Sequence, residues 1–287
     1  MAVIETERIT EVVARLSREI NICLSDNMLE AIAKASSLEE SETGKQVLSQ
    51  LLKNAAIARR EEIALCQDTG LAIVFVDVGQ EVRLKGIPLE EAVNQGVREG
   101  YEKGFLRKSV VGSPINRVNT GDNTPAIIHT RIVPGDKVKI TVAAKGAGSE
   151  NMGALRMLSP SEGTQGIIDF VIETVDRAGP NPCPPLIVGV GVGGNFELAP
   201  LLAKRALLRP VGEPHSDPEI AGLERELLYR INCLGIGPQG LGGRITALGV
   251  ALEVHPCHIA SLPVAVNLDC HCHRHRSEII GGEDSSV

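Results

Sequence analysis

The sequence predicts an α+β fold of mixed sheets with flanking helices and a helical N-terminal segment. Helical and strand-like periodicities both occur along the 287 residues, but they do not alternate strictly as in a doubly wound parallel sheet. Hydrophobic residues make up 43% and charged residues 23% of the chain, which is typical of a globular protein with a sizeable core. We expect one domain over residues 1–275, built as a single body or as two lobes, and a flexible tail over residues 276–287.

The beginning of the chain is predicted to be helical. Apolar residues recur at helical spacing over residues 7–23, and the same spacing predicts further helices over residues 26–35 and 45–60. Asp26 is the expected N-cap of the second helix, because its short side chain can accept from free backbone N–H groups. Later helices are predicted, in chain order, at residues 88–104, 166–177, 199–208 and 217–231.

Short runs rich in Val, Ile and Leu predict the strands. Residues 126–133 and 137–144 are expected to pair as a hairpin, because Pro134-Gly135-Asp136 between them is favourable turn chemistry. Residues 208–219 are predicted to form a long surface loop. The other strands are predicted, in chain order, at residues 71–78, 186–194, 245–254 and 263–268.

Composition excludes several classes of function. Lys and Arg number 29 and Asp and Glu 36, which gives a net charge of −7 and argues against nucleic acid as a partner. No apolar run approaches the roughly 18 residues of a membrane helix, so no membrane association is expected. The N-terminus lacks the basic and apolar regions of a signal peptide, which predicts a cytoplasmic location. The seven cysteines are then expected to be thiols, metal ligands or nucleophiles.

Two cysteines lie in short loops that could carry chemistry. Cys66 in CQDTG lies beside Asp68, which fits a reactive or ligating thiol, but also a cysteine at a helix end followed by an ordinary turn. Cys183 lies between prolines that fix the backbone, which fits a stiff metal ligand, but also a loop cysteine before a strand. Both alternatives stay open on the residues alone.

The stretch HPCHIASLPVAVNLDCHCHRH is dense in metal-ligating side chains. Cys and His are the usual ligands of zinc, so a non-catalytic zinc-binding protein is one hypothesis. Neighbouring residues of an extended chain point to opposite sides, so all of them cannot reach one ion. A single true ligand among incidental surface histidines is the other interpretation. The residues concerned are Cys257, Cys270, Cys272, His255, His258, His271, His273 and His275.

Two glycine-rich stretches and one arginine complete the candidates. Residues 145–153 and 189–194 match neither a dinucleotide fingerprint nor a phosphate loop. Free N–H groups in the first stretch could bind a carboxylate, while the second reads more simply as a buried strand packed closely against a helix. Arg107 follows an amphipathic helix and could clamp a substrate carboxylate, although an arginine there is usually only solvated.

Five motifs, in this order, resemble the α subunit of two-subunit class I fumarate hydratases and L(+)-tartrate dehydratases. They are CQDTG, KGAGSEN, CPPLIVGVGVGGN, GPQGLGGRITALGV and HIASLPVAVNLDCH, and the resemblance covers residues 46–275. It implies an oxygen-sensitive [4Fe–4S] cluster held by Cys66, Cys183 and Cys270, with one iron open to substrate. Cys272 is a second thiol close to Cys270, so the third ligand stays open between these two residues.

The resemblance also implies the substrate side and the reaction. Arg107 and the backbone near Gly148 would bind a carboxylate, and Asp68 and His258 would have polar or proton-relay roles. The implied activity is a hydro-lyase that interconverts fumarate and malate, or alternatively an L(+)-tartrate dehydratase. A β subunit would carry the catalytic base, and an α2β2 heterotetramer is expected. The implied substrate-side residues are Gln67, Asp68, Arg107, Gly146, Gly148, Ser149 and His258.

Overall fold

The structure is a computed structural model that describes residues 2–281. The chain forms two compact units. Unit 1 consists of the described parts of Met1–Leu24, Ala55–Ala147 and Arg274–Val287, and unit 2 consists of Ser25–Asn54 and Gly148–His273. Each unit combines helices with a four-stranded sheet, so the predicted α+β class is confirmed.

The predicted helices are all present among residues 2–281. Each of these helices is too short or too polar to cross a membrane. The N-cap of the second helix is Ser25, whose Oγ accepts from the backbone N–H of Met28 at 3.3 Å, so the prediction of Asp26 is wrong by one residue. The helices are α1 (Thr6–Ile22), α2 (Asp26–Leu38), α3 (Glu42–Glu61), α4 (Leu89–Lys103), α5 (Ala147–Glu150), α6 (Gly163–Ala178), α7 (Leu198–Ala206) and α8 (Pro218–Asn232).

The strands include four that periodicity did not reveal, namely the first, third, sixth and tenth. All four are short or partly exposed, so they lack the continuous apolar run that marks a buried strand. The strands are β1 (Ala2–Glu5), β2 (Leu71–Gly79), β3 (Val82–Lys85), β4 (Ile127–Val133), β5 (Lys137–Lys145), β6 (Ala154–Leu158), β7 (Leu186–Gly194), β8 (Ala247–Cys257), β9 (Leu262–Asp269) and β10 (His275–Gly281).

The sheet of unit 1 has the order β10-β5-β2-β4. β2 is parallel to β4 and antiparallel to β5, so it lies between the two strands that were expected to form a hairpin. The hairpin prediction is therefore wrong. The reason is the apolar run of β2, which is buried along most of its length and takes the central place. The turn after β4 crosses the end of β2, where a Cβ on Gly79 would overlap the carbonyl oxygen of Gly135.

Both ends of the described chain are strands of unit 1. β1 pairs in parallel with β3, so a strand precedes the predicted N-terminal helix. β10 pairs antiparallel with β5, and Ile280 is buried in the core of unit 1. The prediction of a flexible tail is therefore wrong for residues 276–281, while residues 282–287 lie outside the described part of the chain. α1 and α4 pack on this core through the apolar residues Ile9, Val13, Val93 and Val97.

The sheet of unit 2 has the order β6-β9-β7-β8. β7 is parallel to β8 and antiparallel to β9, so the starts of β7 and β8 and the end of β9 meet at one end of the sheet. α7 lies directly on β7. A Cβ on Gly189 would overlap the carbonyl oxygen of Ala203, and one on Gly191 would overlap that of Ala199. The interpretation of GVGVGG as a strand packed closely against a helix is confirmed.

Candidate active site

The CQDTG loop of unit 1 connects α3 to β2 and is held by buried side chains. The Tyr101 hydroxyl donates to the carbonyl oxygen of Thr69 at 2.7 Å and lies 3.1 Å from that of Gly70. The amide of Asn123 also donates to the Gly70 carbonyl, at 3.2 Å. Tyr101 and Asn123 are fully buried, so these bonds are shielded from water. Burial raises the pKa of Tyr101 to about 12, which keeps its hydroxyl a hydrogen-bond donor at neutral pH.

The Asp68 carboxylate is oriented by two backbone N–H groups. Its Oδ1 accepts from Gly70 at 3.0 Å and its Oδ2 from Ala147 at 2.8 Å. A Cβ added at Gly146 would lie 3.1 Å from Asp68 Oδ2, so the glycine leaves room for this approach. The Ala147 amide of the first glycine-rich stretch therefore binds a carboxylate of the protein itself.

A buried arginine also supports this loop. Arg274 Nη1 donates to the carbonyl oxygen of Asp68 at 2.7 Å and to Asn21 Oδ1 at 3.0 Å. Asn21 in turn donates from its amide to the carbonyl of Ser17 within α1, at 2.9 Å. The loop is thus tied through Arg274 to the first long helix of unit 1. Such charge-assisted bonds are stronger than neutral ones.

Three other sequence-predicted residues lie in this loop or next to it. The Cys66 thiol is half-buried and lies 3.4 Å from Gln67 Oε1, to which it donates. The hydroxyl of Thr69 donates to the carbonyl oxygen of Arg107 at 2.7 Å, which fixes the Arg107 backbone against the loop. The Arg107 side chain itself is exposed. Unit 1 therefore brings Cys66, Gln67, Asp68 and Arg107 into one neighbourhood.

In unit 2, the loops of Cys183 and Cys270 adjoin. Cys183 precedes β7 and Cys270 follows β9, and these strands are antiparallel neighbours. His271 Nδ1 lies 3.1 Å from the carbonyl oxygen of Cys183, which joins the two loops directly. Cys183 has a positive φ of 56°, a conformation that non-glycine residues rarely adopt. Gln239 stabilises the same loop by donating its amide to the Pro184 carbonyl at 2.8 Å.

Asp269 organises the surroundings of Cys270. Its Oδ1 accepts from the Cys270 N–H at 3.2 Å and from the Ser149 hydroxyl at 3.4 Å, and its Oδ2 lies 2.6 Å from His273 Nδ1. A Cβ on Gly148 would lie 3.4 Å from the carbonyl oxygen of Asn181, two residues before Cys183. Unit 2 therefore brings Gly148 and Ser149 to the two cysteine loops.

His258 is not part of this group in unit 2. It lies in the turn between β8 and β9, where its Nδ1 accepts from the Ala260 N–H at 3.1 Å, so the neutral ring carries its proton on Nε2. β9 runs from this turn to Cys270, and its eight residues span roughly 23 Å at about 3.3 Å per residue. The structure thus places His258 and Cys270 at opposite ends of the sheet.

The same separation bears on the zinc hypothesis. His255, Cys257 and His258 lie at one end of β9, and the other members of the Cys/His stretch lie at or beyond its other end. Within residues 2–281, no three Cys, His, Asp or Glu side chains are grouped so that they could hold a metal ion. Because the two sets lie at opposite ends of β9, the Cys/His stretch does not bring all of its members to one ion.

Comparison with known proteins gives the family. The family model described as fumarate hydratase (Fumerase) matches residues 10–278. The chain belongs to this family. A Methanocaldococcus jannaschii protein named "Putative L(+)-tartrate dehydratase subunit alpha" is 45% identical over 269 residues, which cover 92% of this chain and 94% of that protein. The L(+)-tartrate dehydratase subunit alpha of Escherichia coli K12 is 35% identical over 271 residues, covering 93% and 89%. The protein of that name from Shigella sonnei gives the same values.

Membership of the fumarate hydratase family makes the chain a member of a hydro-lyase family. The family motifs lead to Cys66, Cys183 and Cys270, but not to the side chains that hold these loops in place. Tyr101, Asn123, Arg274, Asp269 and Gln239 were not identified from the sequence. Most of them act by a bond to a backbone atom far away along the chain, which leaves no local pattern. Asp269 alone had a signal, because it directly precedes a candidate ligand.

Proposed function

We propose that this chain is the α subunit of a [4Fe–4S]-dependent hydro-lyase that adds water to, or removes it from, a small dicarboxylate. The observation that carries the proposal is the adjoining pair of loops with Cys183 and Cys270 in unit 2. Both loops are held by hydrogen bonds, and both thiols are at least partly accessible. A purely structural role would favour buried thiols, as for Cys272, which is 3% exposed.

The chemistry of the donor set suits an iron–sulfur cluster. Cysteine thiolates are its usual ligands, and Cys66, Cys183 and Cys270 would hold it. The burial of Cys272 supports Cys270 as the third ligand. When bound, a cluster with three protein ligands supplies a Lewis-acidic iron that can draw a hydroxyl and a carboxylate oxygen.

The polar residues of the chain would bind and orient the substrate. Arg107 has an exposed guanidinium, whose planar fork matches a carboxylate. Its backbone is fixed by Thr69, so this charge stays next to the CQDTG loop. Asp68 is held by two N–H groups in one orientation and is assigned a polar or proton-relay role. Gln67 and Ser149 complete the set of hydrogen-bonding groups.

A β subunit would complete the site and carry the catalytic base. The relatives are named as alpha subunits, which supports a two-subunit enzyme, and an α2β2 assembly is the simplest form with two such pairs. Without the partner, the chain would bind the cluster but would not turn over substrate.

Two substrates have separate support. Fumarate and malate are favoured by the description of the family, and L(+)-tartrate by the names of the relatives. Tartrate carries one hydroxyl more than malate, and a site built to bind that hydroxyl would discriminate strongly against malate. Steady-state kinetics on both acids, with the chain and its β-type partner co-purified without oxygen, distinguishes the two.

The test of the cofactor is iron and acid-labile sulfide per chain after anaerobic purification. About four of each, with a visible absorption that air bleaches, is the expected result. Zinc with no sulfide would overturn the proposal, because the cluster chemistry would then be absent. Iron and sulfide with no turnover of fumarate, malate or tartrate by the assembled protein would overturn the substrate assignment alone.

A further inference from the structure

The segment between α4 and β4 is unusually long for a connection in unit 1. α4 ends at Lys103 and β4 begins at Ile127, so the connection has 127 − 103 − 1 = 23 residues. Connections of more than about 12–15 residues without helices or strands of their own are uncommon and usually have a function. We call residues 105–123 of this connection the finger.

The finger is ordered by its own hydrogen bonds. The N–H of Gly112 donates to the Val118 carbonyl at 2.8 Å, and the N–H of Thr120 donates to the Val110 carbonyl at 2.9 Å. Its base is closed by the buried Asn123, whose Oδ1 accepts from the Ser109 N–H at 2.6 Å. The finger is therefore a short hairpin-like projection with a defined backbone.

This ordered backbone exposes apolar side chains. Phe105 is 95%, Ile115 92% and Val118 66% exposed. Most residues from 112 to 121 are also exposed, so no other described part of the chain covers the tip. Ordering a segment costs conformational entropy, and burying these side chains would lower the free energy. Exposed apolar residues on an ordered projection are typical of a surface that binds another protein.

The charges of the finger differ from those of the whole chain. Arg107, Lys108 and Arg117 are basic, and none of their side chains forms an ion pair with a residue between 2 and 281. The acidic residue, Asp122, is already paired with Arg98 at 2.9 Å. The chain as a whole has a net charge of −7. A complementary surface would be an apolar groove with an acidic rim.

We propose that the finger docks into such a groove on the β-type partner subunit. The inference rests on the proposed two-subunit enzyme and states where the partner binds. Thr69 joins the CQDTG loop to the Arg107 carbonyl, next to the finger base. A partner seated on the finger would therefore place its own residues beside Cys66 and Asp68, as an active site completed by a second chain requires.

The test compares two variants of exposed isoleucines. Ile115→Asp puts a charge on the finger tip, and Ile259→Asp does the same at an equally exposed position of unit 2. Affinity for the β-type subunit from the same genome is measured by surface immobilisation and checked by light scattering of the mixture. Ile115→Asp is expected to raise Kd at least tenfold, while Ile259→Asp leaves it within about twofold. Thermal unfolding of each chain alone confirms that both variants fold.

A charge variant tests the rim separately. Lys108→Glu combined with Arg117→Glu is expected to lower the association rate about tenfold at low salt, and less at 0.5 M salt. If the finger stayed in solvent in the assembly, the double variant would not change the association rate in this salt-dependent way.

The outcomes separate docking from the proposed function. Three results would each overturn the docking site. Ile115→Asp could bind the β-type subunit as tightly as the parent chain does, or Ile259→Asp could lose as much affinity as Ile115→Asp. The third result is that the parent chain does not bind the β-type subunit. A change in self-association of the isolated chain caused by Ile115→Asp, with β-type binding intact, would also overturn it in favour of a contact between copies. An inactive parent assembly that still needs Ile115 to form would overturn the proposed function and leave the docking site standing.

Discussion

The CQDTG loop of unit 1 and the cysteine loops of unit 2 are held in place by different means. The first is bonded through its backbone carbonyls to buried side chains from elsewhere in unit 1, namely Tyr101, Asn123 and Arg274. The second pair is stiffened by prolines around Cys183 and held by the polar side chains of Gln239, His271 and Asp269. The difference teaches that the position of Cys66 depends on buried side chains in the core of its unit. The position of Cys183 depends instead on stiff prolines together with bonds from Gln239 and His271 of unit 2.

The largest expected effect comes from removing the candidate ligands one at a time. Cys66→Ser, in unit 1, and Cys183→Ser and Cys270→Ser, in unit 2, are each expected to lose most of the iron and sulfide, because a serine hydroxyl is a poor ligand for the cluster. Metal and sulfide analysis after anaerobic purification measures this. Cys233→Ser, an exposed cysteine at the end of α8, is the matched control and should keep its iron. A full cluster in any one ligand variant removes that residue from the ligand set.

The next effect tests the core dependence of unit 1. Arg274→Met leaves two acceptors, the partly buried Asp68 carbonyl and the buried Asn21 Oδ1, without their charged donor. It should reduce the free energy of unfolding by about 3 kcal/mol. Urea unfolding measures the change. Arg276→Met is the control, since Arg276 makes a half-exposed ion pair with Glu19 and should cost less than about 1 kcal/mol. Equal losses in the two variants would contradict the special role of Arg274.

Glu39 is a comparable buried anchor of unit 2, away from its cysteines. Burial raises the pKa of Glu39, but the N–H groups of Arg244, Ser41, Ile245 and Glu40 lower it by more, so it stays below its ordinary 4.5. Glu39→Gln removes the charge from this nest of donors and should cost about 2 kcal/mol at pH 7.

The pH dependence of this anchor follows from the sign of the shift. A carboxyl group with a lowered pKa in the folded protein stabilises it above about pH 4.5, and this stability is lost as the pH falls through the folded pKa. The difference in the free energy of unfolding between the parent protein and Glu39→Gln should therefore shrink as the pH is lowered below 4.5. Glu40→Gln, at an exposed neighbouring residue, serves as the control in the same urea titrations. If this difference in the free energy of unfolding stayed constant down to pH 3, the stabilising role of the Glu39 charge would be refuted.

The smallest effect comes from one hydroxyl of unit 1. Tyr101→Phe removes the bond to the Thr69 carbonyl and should reduce the free energy of unfolding by about 1 kcal/mol at pH 7. Tyr229→Phe, at the exposed tyrosine, is the control. Burial raises the pKa of Tyr101 to about 12 from 10.0, so its contribution is complete below pH 10 and is lost as the pH rises towards 12. Urea unfolding at pH 8 and pH 11 should show the cost of Tyr101→Phe disappearing at the higher pH. A cost that persists at pH 11 would contradict the buried, neutral hydroxyl.

Elements with a strong pattern of their own were predictable from the sequence. α1 and β7 lie within one or two residues of their predicted bounds, because the apolar face of α1 and the apolar run of β7 mark their burial directly. Strand pairing was not predictable in the same way. β4 and β5 have an ideal turn between them, yet β2 takes the place between them, and only the burial of the whole sheet decides this.

The candidate site shows the same limit. The resemblance leads to Cys66 and Asp68, but Tyr101 and Arg274 reach the loop from positions 31 and 206 residues away and leave no motif. His258 is close to Cys270 in the sequence, but within unit 2 β9 carries the chain across the sheet between them. Proximity along an extended strand means distance in space.

The glycines of β7 have a consequence for how this protein can change over time. Every mutation of Gly189 or Gly191 to another amino acid adds a Cβ atom, which would overlap the carbonyl oxygens of α7. These two positions are therefore restricted to glycine by shape, independently of any catalysis. A variant that kept only this fold would still need both glycines, so their presence reports on the packing of α7 against β7 and not on chemistry.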